Sequence, residues 1–535
     1  MKKITKFILP ICLLVGSMLT IQSCTQKDFD ENYYDPEKSV NATVEGLFTG
    51  FLYNNAFENR NPIFPRYWNL NTFQVPMPAR YAQVVGFINT TGRYDQATAY
   101  AAQRWDYYYL TYISGYRSMQ KKMATLSAEE QAAYQPFLEI ANILLYDQTA
   151  QMVDMWGDIP FFEAGKLILE NGELIRAKYD SAEQIYDFLL SDLKRVSDYI
   201  KTVQFDPAKK NLFNSNDIFF KGDLAKWSLY ANSLRLRLAM RISYQNETKA
   251  KSIVQEILGA NTYPVITGVP QNLQVAAEGD VLRSILNKHE SGIRGGLIGT
   301  AAPGDMINKY MAPAADPRLQ VLFSQNKEDH FVGVDPSWVE KRQDDSLANN
   351  FYSRIDSATF ARNDQFPGIL ITAAEISLFK AEALERWNIG TGTAKAAYEQ
   401  GIRESITSYF NINAMNKNSD GTSYIPKTAP TEEEITQFLA TPMISYTGSK
   451  DQRLEKIGIQ QWINFGVIQA PHAWAEVRRT GYPKLTFLTD NTSPTNKVPP
   501  TRLLYPDAEK TQNTENYQAV KDKDRVNVKV FWQAK

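Results

Sequence analysis

Cysteine and histidine are scarce in this chain, and their scarcity excludes more than any motif establishes. Its 535 residues include two cysteines and three histidines. Cys12 lies within an apolar leader, so a chain without that leader keeps one thiol and forms no internal disulfide. His289, His330 and His472 stand far apart with no cysteine pair between them, which argues against a zinc site of the usual ligand type. No metal or cofactor is expected. The sequence contains no G-x-S-x-G elbow, no H-E-x-x-H and no G-x-x-x-x-G-K-[ST]. Gly292 to Gly299 is glycine-rich, but its spacing matches neither a dinucleotide fingerprint nor a phosphate loop, and it reads as a loop. Neither sign of charge dominates, with 58 basic against 59 acidic residues. Losing Lys2, Lys3 and Lys6 with the leader takes the basic count from 58 to 55 against 59, so no nucleic-acid partner is expected.

What is present begins at the N-terminus. Lys2, Lys3 and Lys6 precede an almost uncharged run from Phe7 to Ile21, the pattern of an export signal and too short to span a bilayer comfortably. The run ends in Ile21-Gln22-Ser23-Cys24, where a small residue directly precedes cysteine. That pattern resembles the lipobox of a bacterial lipoprotein. Residues 1–23 are therefore expected to be a signal peptide, with Cys24 the lipidated first residue of the mature chain. Residues 24–40 are polar and acidic and read as a flexible tether. Residues 41–535 are left as the folded body.

Within that body the apolar residues recur with a helical period. Leu224, Trp227, Ala231, Leu234, Leu238 and Ile242 stripe one helix behind an Asp223 cap, with Arg235, Arg237 and Arg241 away from or flanking the stripe. Ile185, Leu189, Leu193, Val196 and Ile200 stripe another, opened by Ser181 and Gln184 at capping-box spacing. Ile376 to Trp387, the turn Gly390-Thr391-Gly392 and Tyr398 to Tyr409 resemble a tetratricopeptide helix pair. Asp95 to Ser118 is a further helical run, which places Trp105 and Tyr107 to Tyr109 in the core. Tyr263 to Phe366 and Asn411 to Thr447 are rich in Gly, Pro, Asn and Asp and read as long loops with short strands. Asn416, Asn418, Asp420 and Gly421 imitate the start of a calcium loop, but Lys427 stands where a bidentate glutamate is needed, so a polar turn is the stronger reading.

Several ordered motifs together resemble the RagB/SusD family of nutrient-binding outer-membrane lipoproteins, and more closely its SusD-like subgroup. They are Trp156-Gly157-Asp158-Ile159-Pro160-Phe161, Tyr179-Asp180-Ser181, Lys226-Trp227, Ala231 to Arg237, Lys380 to Ala383, Ala473 to Pro483, Arg502 to Pro506 and Val530-Phe531-Trp532. The resemblance implies an all-α fold, with tetratricopeptide-like helix pairs forming a single body that carries long irregular loops and few short strands. It also implies a lipid-anchored, surface-exposed location on the outer membrane. There the protein would bind an oligosaccharide or other glycan and act as the lid of a SusC-like TonB-dependent transporter, without catalysis. Capture of peptides on the same architecture, and a helical scaffold with no small ligand, are the alternatives.

Most of the motif residues read as architecture. Gly157 to Pro160 ends a helix, and Arg478-Arg479 suits the negative end of a helix dipole. The binding reading requires solvent-facing aromatic residues beside planar polar groups, since rings stack on sugar C–H faces while amides and guanidinium groups orient hydroxyls. Two stretches supply them. The first contains Trp68, Asn69, Arg80 and Tyr81 in a proline-punctuated segment; the second contains Trp338, Tyr352 and Arg354 in the mid-chain loops.

Overall fold

Apolar periodicity and side-chain caps build a body made almost entirely of helices. The computed structural model describes residues 42–53, 62–64, 66–166, 176–260, 262–276, 293–417 and 423–534, and Val44–Lys535 is a compact unit. Cys24, the leader, the tether, His289 and positions 418–421 of the calcium-like turn lie outside the described residues.

The Asp223 carboxylate accepts the Lys226 backbone N–H to open Leu224–Arg241. The Ser181 hydroxyl accepts the Gln184 N–H to open Ala182–Ile200. The two helices pack together, with Ile185, Leu189, Leu193, Trp227 and Leu234 completely buried. The long helix Ala128–Trp156 lies against both. Farther along, Ala373–Trp387 and Ala394–Ala414 form the expected helical hairpin. Its turn uses left-handed backbone at Asn388 (φ 56°), Gly390 (φ 122°) and Gly392 (φ 87°). Gly401 lets the two helices approach closely, since a Cβ there would come within 2.7 Å of Leu378 Cγ. Lys450–Phe465 packs on this hairpin and leads into Ala470–Thr480. Strands are few among the described residues: Leu273–Val275 pairs antiparallel with Gly368–Ile371, and Phe323–Ser324 with Arg354–Ile355.

Several segments read as loops depart from the sequence expectation: within Tyr263 to Phe366, Ile293–Leu297 in the glycine-rich stretch and Glu340–Ala348 are helical, and the polar composition of the latter marks exposure rather than the absence of helix. Trp68–Ala79, read as a proline-punctuated loop, winds as a wide π-type helix that contains Pro76 and Pro78. Prolines contribute no N–H to a normal α-helical ladder, and the wider winding accommodates them. The stretch after Asn411 is not one long loop either. The preceding helix runs to Ala414, and Thr431 with Glu434 forms a capping box that starts Glu432–Ala440.

The core contains a connected set of buried ions. Arg235, Arg237 and Arg241, read as off-stripe, are only 3%, 2% and 1% exposed. Arg237 clamps Glu375 at 2.6 Å and Arg241 meets Glu476 at 2.6 Å and Asp154 at 3.3 Å. Arg479 joins Glu476 at 2.7 Å to Glu382 at 2.5 Å, so the end of Ala470–Thr480 is tied to both the hairpin and Leu224–Arg241. Arg478 lies 3.8 Å from the Trp474 ring centre and donates to the Asp154 and Thr501 carbonyls. The Trp156–Pro160 motif is equally architectural. Gly157 takes φ 78°, and the Asp158 carboxylate accepts the Ala182 N–H, while Asp180 accepts those of Phe161 and Phe162. Among the described residues no helix is long and apolar enough to cross a membrane, and no three His, Cys, Asp or Glu side chains cluster to hold a metal.

Candidate functional site

The sequence-selected residues fall into two separate groups, and their exposure distinguishes them. In the first group Trp68 begins the wide helix and is half-buried. Its ring lies 5.9 Å from that of Tyr100, which is 37% exposed, and 6.2 Å from that of half-buried Tyr67. Tyr100, Arg104 and Tyr107 share one face of Thr98–Tyr107 through their spacing of four and three residues. The two helices enclose a small cleft bordered by Trp68, Asn69, Tyr100, Gln103 and Arg104. Below it Phe73 stacks on Trp156 at 6.3 Å and Trp105 meets Trp156 edge-on at 5.7 Å, so the floor is rigid core. Asn69 is 5% exposed and its amide donates to the Pro62 carbonyl.

Arg80 and Tyr81 do not join this cleft. Tyr81 is 2% exposed, its ring 5.4 Å from that of Trp474 and its hydroxyl 3.4 Å from the Tyr94 and Asp95 carbonyls. Burial pushes its phenol well above the ordinary tyrosine range. Arg80 donates to the Arg93 carbonyl at 3.0 Å and lies 5.5 Å from the Phe87 ring centre. Both side chains hold the 80–95 loop in shape.

The second group is an aromatic patch on the mid-chain loops. Trp338 is half-buried, stacks on Phe351 at 6.4 Å and carries the Arg342 guanidinium 3.4 Å from its ring centre. Tyr352 is buried against both rings at 3% exposure. Arg354 donates to the Gly299 carbonyl across the short sheet region. Asn89 anchors the patch to the 80–95 loop by donating to the Pro336 and Trp338 carbonyls at 2.9 and 2.7 Å. An open groove beside Trp338 is edged by Lys327, Val339, Asp345 and Asn349. A sugar stacking on Trp338 would have to displace Arg342, whereas in the other group Tyr100 is exposed and Trp68 half-buried beside it.

The acidic groups of the core are committed elsewhere. Asp147 accepts the Tyr230 hydroxyl at 2.6 Å, and Glu375, Glu382 and Glu476 are paired with arginines. Burial raises the Asp154 carboxyl, partly offset by Arg241 and by the Tyr186 hydroxyl.

The family model for SusD-like proteins, described as Susd and RagB outer membrane lipoprotein, matches residues 38–533. The chain belongs to this SusD-like family. Its solved neighbours share the fold. A chitin-binding protein superposes with a TM-score of 0.72 at 22% identity, covering 92% of this chain and all of the other. A SusD homolog from Bacteroides fragilis gives 0.67 at 21% identity over 92% and 100%. A chitin-binding SusD homolog from Flavobacterium johnsoniae gives 0.65 at 20% over 92% and 98%. No curated protein matches the sequence. Membership makes this an outer-membrane lipoprotein by family. The match spans the cleft residues but assigns none of them a role. Tyr100, Gln103 and Arg104 were missed in the sequence, where the signal available was the spacing of Tyr100, Arg104 and Tyr107 on one helical face.

Proposed function

We propose that this SusD-like protein is a surface-exposed receptor that binds oligosaccharides in the Trp68–Tyr100 cleft. It delivers them as the lid of a SusC-like TonB-dependent transporter. Residues 1–23 are removed, Cys24 is acylated, 24–40 is the tether, and 41–535 is the binding body. The observation that carries this reading is a pair of partly exposed rings, Trp68 and Tyr100, set 5.9 Å apart over polar groups on a rigid aromatic floor. Flat rings supply stacking surface for sugar C–H faces, and the Asn69, Gln103 and Arg104 groups supply orientation. The chitin-binding names of two structural neighbours agree with a carbohydrate ligand. The protein acts by binding rather than catalysis, since the buried carboxylates of the core are committed to arginines and tyrosines. Trp338 with Arg354 forms a secondary contact region at most, because Arg342 covers its ring.

Isothermal titration against starch-like, plant and host-type oligosaccharides, with peptide pools alongside, tests the assignment. Micromolar to millimolar binding of one sugar class, weakened tenfold or more in Trp68→Ala and kept in Trp338→Ala, is expected. Binding of peptides alone, or of no small ligand, overturns it in favour of peptide capture or a scaffold.

A further inference from the structure

Arg104 is 5% exposed and sits where the cleft meets the core. Its Nη2 donates to Gln148 Oε1 at 3.0 Å, while its Nη1 has no acceptor among the described residues. No carboxylate lies within ion-pair distance of it among the described residues, unlike Arg237, Arg241 and Arg479. Arg478 and Arg502 also lack a carboxylate, but several backbone carbonyls and aromatic rings hold them. Asp147, the acidic group whose field reaches Arg104, is already committed to Tyr230 and Arg237. A buried guanidinium without a counter-charge is costly, and an anion entering beside it is correspondingly stabilised. The hollow that Arg104 lines measures about 20 Å³, which admits one oxygen-bearing substituent and not a sugar ring. A ring resting on Trp68 and Tyr100 would therefore insert a single group toward Arg104.

We infer that the cleft selects glycans bearing a carboxylate, a uronic acid unit being the simplest, and that Arg104 is the residue that reads that charge. This rests on the glycan-binding reading above and narrows it. Among the described residues that border the cleft the guanidinium is the only charge, so a neutral sugar gains stacking and neutral hydrogen bonds but no ion pair.

The test is titration of the detergent-solubilised protein with oligogalacturonate and oligoglucuronate, their methyl esters, chitotetraose and oligoglutamate. At least one free acid is expected to bind about tenfold or more tighter than its methyl ester, the worth of one charge-assisted hydrogen bond. That preference should shrink with added salt. Arg104→Gln should level acid and ester by weakening the acid far more than the ester, with ester binding still measurable and an unchanged circular dichroism spectrum showing that the variant folds, and Arg104→Lys should restore part of the preference. Equal binding of acid and ester by the unaltered protein overturns the inference and leaves glycan binding standing, as does a preference that survives Arg104→Gln. Tighter binding of chitotetraose than of either acid overturns it in favour of an acetamido group. Binding of oligoglutamate with no glycan binding overturns the glycan reading itself.

Discussion

Replacing Glu476 with glutamine removes one negative charge from a place where two guanidinium groups converge. Glu476 is 1% exposed, meets Arg241 at 2.6 Å and Arg479 at 2.7 Å, and lies between helices that are distant in sequence. Glutamine keeps the shape and part of the hydrogen bonding but leaves the two cations facing each other with less compensation. Breaking one side of a buried ion pair costs about 3 to 5 kcal/mol, and two further carboxylates, Asp154 on Arg241 and Glu382 on Arg479, soften the loss. A destabilisation of about 3 kcal/mol is therefore expected. Urea unfolding followed by tryptophan fluorescence and far-ultraviolet circular dichroism measures it. With a slope of about 3 kcal/mol per molar, the midpoint falls by about 1 M. On an Arg241→Met background the same substitution should cost at least about 1 kcal/mol less, because one of the two cations is gone. Asp345→Asn, which breaks an ion pair between side chains 84% and 63% exposed, should change stability by no more than about 0.5 kcal/mol. If Glu476→Gln lies within about 1 kcal/mol of the parent protein, the buried ions are not what ties these helices together.

Four other outcomes follow from the same geometry. His472 is held neutral, well below the ordinary histidine range, by burial and then by Arg237 and Arg241. The unfolded chain takes up a proton near pH 6.5 and the folded one does not, so stability should fall as pH drops below that point. The limiting slope is about 1.4 kcal/mol per pH unit, and urea midpoints between pH 7.5 and 5 should lose this dependence in His472→Gln. Burial alone would raise the Glu382 carboxyl, but Arg479 and Arg386 more than offset it and hold it at about 2. Its contribution is complete above about pH 4.5 and is lost as pH falls from there toward 2, so Glu382→Gln should flatten the acid limb of the unfolding profile. Trp68→Ala should weaken oligosaccharide binding by tenfold or more, about 1.4 kcal/mol, with less than a threefold change for Tyr81→Ala relative to its loss of stability. Cys24→Ala should move the protein from the membrane fraction to the soluble one, and full retention without labelled acyl chains refutes the anchor.

How much of this was legible in the sequence depended on whether the deciding interaction was local. Helix starts at Ser181 and Asp223 were readable because the cap side chain and the backbone N–H that donates to it lie within three residues. The Gly390–Gly392 turn was readable because glycine marks left-handed backbone. The wide helix at Trp68–Ala79 was not, since prolines at 76 and 78 are turn signals in any local reading and only the packing of Gly296 beneath Leu70 shows how closely the segment is covered. The arginines of Leu224–Arg241 were placed outside the stripe because periodicity counts charge as exposure. Their partners Glu375 and Glu476 lie 138 and 235 residues away, a distance that no local pattern spans. Exposure of the candidate site residues is likewise set by contacts from far along the chain. Trp68 and Tyr81 are both aromatic and polar-flanked, and what separates them is distant: Trp474, nearly four hundred residues on, packs against Tyr81 and buries it, while Trp68 stays half-buried. Arg104 carries no local mark at all: what sets it apart is its place at the cleft with no carboxylate in ion-pair distance among the described residues, and a missing partner becomes visible only after every neighbour has been placed.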